Sequence, residues 1–209
     1  MQTDSYVPPA GRPSLDVAVV MRREPVTGPM SRWQSARWVL ADVLPEGEPF
    51  IADPAEVGGA PAAPEEVVPV DAGTPPPNVR HWIFRHCRVE LFRDDAEGYF
   101  LNLSSPAPCF WVFWRTDEDW LVDGEPGAVP RIVTLSYHDA GRWLDAQEKV
   151  DQVPASPEVV GWLQAFVDQH HQIEPKRRKR PESFRPLTDR FGQPVRISTD
   201  KRLRGGGSS

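Results

Sequence analysis

HWIFRHCRVELFR, residues 81–93, is the stretch on which the fold of this chain turns. Trp82, Phe84, His86 and Arg88 share one parity, and Ile83, Arg85, Cys87, Val89 and Leu91 the other, the period of a sheet strand. A strand of this length does not stay flat, so it is expected to bend. Residues 94–98 (DDAEG) read as a turn and 99–103 (YFLNL) as the return strand. Residues 104–108 (SSPAP) break the pattern before CFWVFWR at 109–115 resumes it. Asp123-Gly124 and Pro126-Gly127 mark the next connection, and RIVTLSY at 131–137 is the cleanest β-branched run. Residues 138–141 then turn the chain, leaving Arg142, Trp143 and Leu144 as a brief paired edge.

Toward the N-terminus, residues 15–23 (LDVAVVMRR) alternate in the same way, whereas 1–12 are polar and proline-containing and read as a loose terminus. After a turn at 26–29, the segment 32–44 (RWQSARWVLADVL) places Trp33, Ala36, Trp38, Leu40 and Val43 on no single parity. A bulged strand accounts for this better than a short helix. Between 45 and 77 the composition changes: nine prolines, four glycines and seven acids stand against one aromatic and no lysine or arginine. Such a segment buries too little apolar surface to offset the entropy of ordering it, so a disordered acidic insertion is expected between two strands of one domain.

Hairpins at this spacing with no helix between them predict a mainly β fold, a small antiparallel barrel or sandwich. One helix follows. Ser156 supplies its cap, Pro157 its first position and Glu158 an acid in its first turn. Val159, Trp162, Leu163, Phe166, Val167 and His170 fall on one face, which should pack on the sheet. The expected organisation is therefore a flexible terminus (1–12), one β domain (13–173) interrupted at 45–77, and a flexible basic tail (174–209).

The net charge of −6 hides a division: 175–209 holds eleven Lys/Arg and three Asp/Glu, so residues 1–174 carry −14 and the tail +8. No run approaches the roughly 18 apolar residues of a spanning helix, and no secretory signal begins the chain. A cytoplasmic protein without membrane insertion is expected, with Cys87 and Cys109 as buried thiols. The histidines, cysteines and acids show no zinc-ligand spacing, and His170 and His171 read as cations at the negative end of the helix. G-x-S-x-G, G-x-G-x-x-G and P-loop patterns are missing, so neither an enzyme nor a resident cofactor is expected. Trp111 and Trp114 differ in parity, so one should face the core and the other be covered by a helix or the insertion. The basic run at 176–180 suits an acidic partner protein better than nucleic acid, which the acidic body would repel.

Four segments carry a family resemblance: VAVVMRREPVTGPMSRWQSARWVLADVLP near the N-terminus, SYHDAGRWLDAQEKVDQVP in the centre, PEVVGWLQAFVDQHH, and the KRRKRPESF that follows. They resemble a proteobacterial domain family of uncharacterised function often encoded beside molybdenum-dependent formate dehydrogenase genes. The resemblance covers most of 15–185 apart from the acidic insertion. It implies an accessory protein supporting assembly or maturation of that enzyme, with a formate dehydrogenase subunit or maturation factor as partner. Candidate contacts are Arg32, Trp33, Arg37 and Trp38 together with Lys176, Arg177, Arg178, Lys179, Arg180 and Phe184. The alternatives are a nucleic-acid-binding regulator using the tail and a β-barrel holding a small ligand or pterin cofactor.

Overall fold

The computed structural model describes residues 11–53, 62–68 and 78–171. The chain divides into two units, Met1–Gln172 and Ile173–Ser209, and every described residue belongs to the first. In chain order the elements are β1 (Arg12–Pro25), β2 (Ala36–Pro45), β3 (Phe50–Ala52), β4 (Glu65–Val67), β5 (Arg80–Glu90), α1 (Ala96–Leu103), β6 (Cys109–Val122), β7 (Glu125–Thr134), α2 (Tyr137–Asp145), β8 (Val150–Pro154) and α3 (Pro157–His170). One antiparallel sheet has the order β2-β1-β5-β4, with β3 paired to the start of β1; the second has the order β7-β6-β8. The fold is mainly β and sandwich-like, and the barrel reading is not met because the two sheets share no ladder. Where β2 nears β8, a side chain takes the place of a backbone rung. Asp151 accepts from the Leu40 amide at 3.4 Å and from the Trp114 indole at 3.0 Å.

The alternating residues of β1 explain the core: Leu15, Val17, Val19 and Met21 are buried against Phe110 and Val112 of β6 in one cluster with Val159, Leu163 and Phe166 of α3. The bend expected in β5 is a bulge at His86, whose φ of 59° lies in the left-handed region. Val17 pairs with Cys87 and Val19 with Phe84, so one extra residue is absorbed. The bulge switches parity, letting Trp82 and Phe84 before it and Cys87 and Val89 after it face the same core. Glu46 clamps it by accepting from the His86 amide at 2.8 Å and the Arg85 guanidinium at 2.9 Å. Partial burial pushes the Glu46 carboxyl up, but these donors outweigh it and hold it below its ordinary value. The bulged strand expected at 32–44 is β2, whose register shifts so that Val20 faces Asp42 and Met21 faces Leu40. Residues 29–32 form a 3-10 turn ahead of it.

Several expectations are corrected. The return strand at 99–103 is part of α1, because burying Ala96, Tyr99 and Asn102 at intervals of three suits a helix packed on α3. Tyr99 meets Phe166 edge-on at 5.7 Å. The edge expected at 142–144 is the last turn of α2, begun by the Ser136 hydroxyl accepting from the Asp139 amide at 3.3 Å. Pro126-Gly127 is no turn but lies inside β7, where Gly127 packs flat on the Trp120 ring; the hairpin turns at Asp123-Gly124. The edge beside β6 is supplied instead by β8, a strand the sequence pattern did not single out. Within the insertion at 45–77, β3 and β4 pair with β1 and β5 rather than remaining unstructured. Their anchors are arginines of β5: Arg80 grips Glu66 at 2.6 and 2.7 Å, and Arg88 lies 5.1 Å over the Phe50 ring. The helix expected after Ser156 is α3, with the Ser156 hydroxyl accepting from the Val159 amide.

Candidate functional site

The candidate site is the tip of the β1–β2 hairpin. Gly28 turns the chain at φ 84°, and the 3-10 turn at Pro29–Arg32 follows. The turn is held from within: the Ser31 amide and hydroxyl both donate to Gly28 O at 3.1 and 2.8 Å, and the Trp33 and Gln34 amides donate to Met30 O at 3.0 and 3.1 Å. Its backbone is thus ordered while its side chains are not covered. Trp33 is 87% exposed and Met30 59%. A tryptophan presented this way departs from the usual burial of large aromatics.

The base of the hairpin is fastened to the second sheet. Ser35 donates to Glu125 at 2.6 Å, and Arg23 spans Glu125 at 2.9 Å and Asp123 at 2.6 Å. Arg80 joins from β5 by donating to Asp123 at 3.0 Å. The Ser35 hydroxyl first, and Arg23 second, hold the Glu125 carboxyl below its ordinary value. The base of the tip is therefore tied to the second sheet, which lowers the backbone entropy left to lose on docking.

Of the four candidates here, Arg32, Trp33 and Arg37 are exposed, Arg37 being paired with Glu24 at 2.7 Å. Trp38 stands elsewhere: half-buried, its ring lies 4.9 Å from Trp82 and 5.6 Å from Trp120 in an aromatic cluster between the sheets. Lys176, Arg177, Arg178, Lys179, Arg180 and Phe184 lie outside the described residues. Met30 is a surface residue that sequence reasoning passed over; its signal was its place in GPMSRW, an apolar side chain inside a glycine-proline turn.

Burial pushes the Cys87 thiol up to about 12 and Cys109 to about 11, so neither is an activated nucleophile. Trp111 and Trp114 are both buried: Trp114 lies in the main core, and Trp111 packs with Cys109 and Ala140 beneath α2. His170 departs from its expected cationic role, since burial and then the nearby Arg93 lower its pKa. Among the described residues no three His, Cys, Asp or Glu side chains converge on a metal position. Nor is any helix among them long and apolar enough to cross a membrane.

Asp95, at the start of α1, is the one carboxyl among the described residues shifted upward, by burial first and by the Asp139 charge second, against the pull of Arg142 and His138. Its folded form holds the proton more tightly than the unfolded chain, so stability falls as pH rises from the ordinary value of 3.8 through the raised one. Asp95→Asn should therefore raise Tm at pH 7 by roughly 1–2 °C, with the gain vanishing below the ordinary aspartate range. Thermal melts at the two pH values test this, and a lower Tm at pH 7 would contradict it.

Fold and site together define a two-sheet β sandwich with flanking helices that presents a stiff aromatic hairpin tip. The chain belongs to the family described as "Protein of unknown function (DUF3305)", whose model matches residues 16–180. Comparison with curated proteins and with solved structures finds no match.

Proposed function

We propose that this chain is a non-enzymatic interaction protein that docks on its partner through the β1–β2 hairpin tip, with Trp33 as the anchor. The observation that carries the reading is the 87% exposure of Trp33 on a turn whose backbone is tied at the Ser31, Trp33 and Gln34 amides. Tryptophan and arginine are enriched among the residues that dominate interface energetics, and the exposed Arg32 adjoins Trp33. The complementary surface is an apolar pocket with an acidic rim. The sequence resemblance supports a place for that partner in the assembly or maturation of a molybdenum-dependent formate dehydrogenase.

The test is capture of partners by the tagged protein from formate-grown cells, comparing the unaltered chain with Trp33→Ala. Loss of the anchor should weaken capture of formate dehydrogenase subunits or maturation factors by about 30-fold or more, as a tryptophan hot spot implies. The melting temperature should move by less than about 1 °C, because the ring touches little of its own chain. Equal capture by both proteins would remove the tip from the interface, and recovery of nucleic acid alone would replace the reading with that of a regulator. Trp38→Ala is not a substitute for this test, since it would disturb the packed ring cluster.

A further inference from the structure

A groove of about 460 Å³ opens where the start of β1, strand β3, the segment after β5 and the last turn of α3 meet. Its size lies within the range of small-molecule sites. Leu91 and Phe166 line it and are themselves buried, at 2% and 6% exposure. Phe92 and Ile51 also line it yet remain 42% and 51% exposed, so the groove carries two large apolar side chains that are not buried by the described residues. The wall beside Ile51 is close-packed: a Cβ on Gly11 would stand 2.3 Å from Ile51 Cγ2.

The polar lining is unevenly charged. Arg12 lies 5.0 Å over the Phe92 ring and reaches Glu90 only at 3.4 Å, and its side chain is 42% exposed. Arg93 stands exposed on the same lining, with Asp94 as the one acid among the described lining residues. His170, held toward its neutral form by burial and by Arg93, adds no fixed charge at neutral pH. Among the described residues Arg93 forms no ion pair, whereas Arg12 is met by Glu90, so the Arg93 guanidinium is the lining charge left to meet a ligand beside exposed apolar surface.

We propose that this groove binds a small organic monoanion, its apolar body against Phe92, Ile51 and Phe166 and its acid group paired with Arg93. Arg12, stacked on Phe92 and paired with Glu90, walls one side of the site. Guanidinium pairing with a carboxylate or sulfonate supplies orientation, and the apolar lining supplies most of the affinity. The site is separate from the hairpin tip and does not depend on the docking role of Trp33.

The probe is anilinonaphthalene sulfonate, an aromatic monoanion that brightens in apolar sites, titrated into the full chain and compared with its uncharged parent, phenylnaphthylamine. Saturable one-to-one binding of the sulfonate is expected, weakened about tenfold or more by Arg93→Glu and less by Arg93→Gln. The uncharged parent should bind about tenfold more weakly than the sulfonate, and Trp33→Ala should leave the titration unchanged. Circular dichroism confirms that each variant is folded. Failure of the sulfonate to saturate, equal binding by Arg93→Glu, or equal binding of the uncharged parent would overturn the proposal. Loss of binding in Trp33→Ala would also overturn it, by moving the dye to the hairpin tip.

Discussion

Asn102→Ala is expected to lower the unfolding free energy by about 3–5 kcal/mol, a large share of the roughly 5–15 kcal/mol of an ordinary domain. The Asn102 side chain is wholly buried. Its Nδ2 donates to Cys109 O and to Leu135 O, both at 2.9 Å, while its Oδ1 accepts from the Cys109 amide at 3.0 Å. One amide group thus ties α1 to the first residue of β6 and to the link between β7 and α2. Alanine strips two carbonyls and one N–H of these partners in a buried place, and each lost partner costs about 1–3 kcal/mol. Asn102→Asp should be worse, because a carboxylate has no N–H to give and sets its charge against two carbonyl oxygens. Urea unfolding followed by tryptophan fluorescence measures both variants. A loss under about 1 kcal/mol for alanine, or a smaller loss for aspartate than for alanine, would contradict the assigned bonds.

Trp120→Ala should cost about 2–4 kcal/mol, less than a fully buried tryptophan because the ring is half-buried. The register of β6 against β7 shifts between Asp117 and Leu121, and Trp120 lies within that irregularity. Its ring packs 5.6 Å from Trp38 of β2, 6.0 Å from Trp82 and 5.6 Å from Phe84 of β5, joining the two sheets by contact alone. Gly127 makes the position possible, since a Cβ there would fall 2.1 Å from Trp120 Cε3. Trp120→Phe should recover about half of the loss by keeping an edge-to-face partner for Phe84. Chemical denaturation, with near-ultraviolet dichroism reporting the ring cluster, checks both; a cost under about 0.5 kcal/mol for alanine would show that the sheets are held together elsewhere.

The sequence was most readable where one residue pattern admits one structure. The alternation in β1 and the cap at Ser156 read directly, the mixed parity of 32–44 called for a bulge that β2 contains, and β5 is a strand as expected although the bulge at His86 breaks the single alternation expected of it. YFLNL was not readable in this way: five residues fit a strand or just over one helical turn, and the partners that decide it lie outside the segment, on Cys109 and Leu135 for Asn102 and on α3 for Tyr99. A local signal for α2 was present in SYHD at 136–139, where Ser136 and Asp139 have capping-box spacing, although the β-branched run before it drew Ser136 and Tyr137 into a strand. In the acidic insertion, composition disfavoured order, but the exposed edge of β5 offers Arg80 to Glu66.

The candidate site shows the same division. Arg32-Trp33 and Arg37-Trp38 are the same dipeptide five residues apart, and nothing local separates them. One ring is 87% exposed and the other sits among Trp82 and Trp120. By itself the sequence determined that this is a mainly β chain with a capped C-terminal helix, two buried thiols, and an acidic body followed by basic residues. Tertiary structure alone decided that the sheets form an open sandwich, that 96–103 is a helix, and which tryptophan faces outward. The reason is physical: periodicity states which side chains must leave water, while the identity of the surface that covers them depends on contacts between residues far apart in the chain.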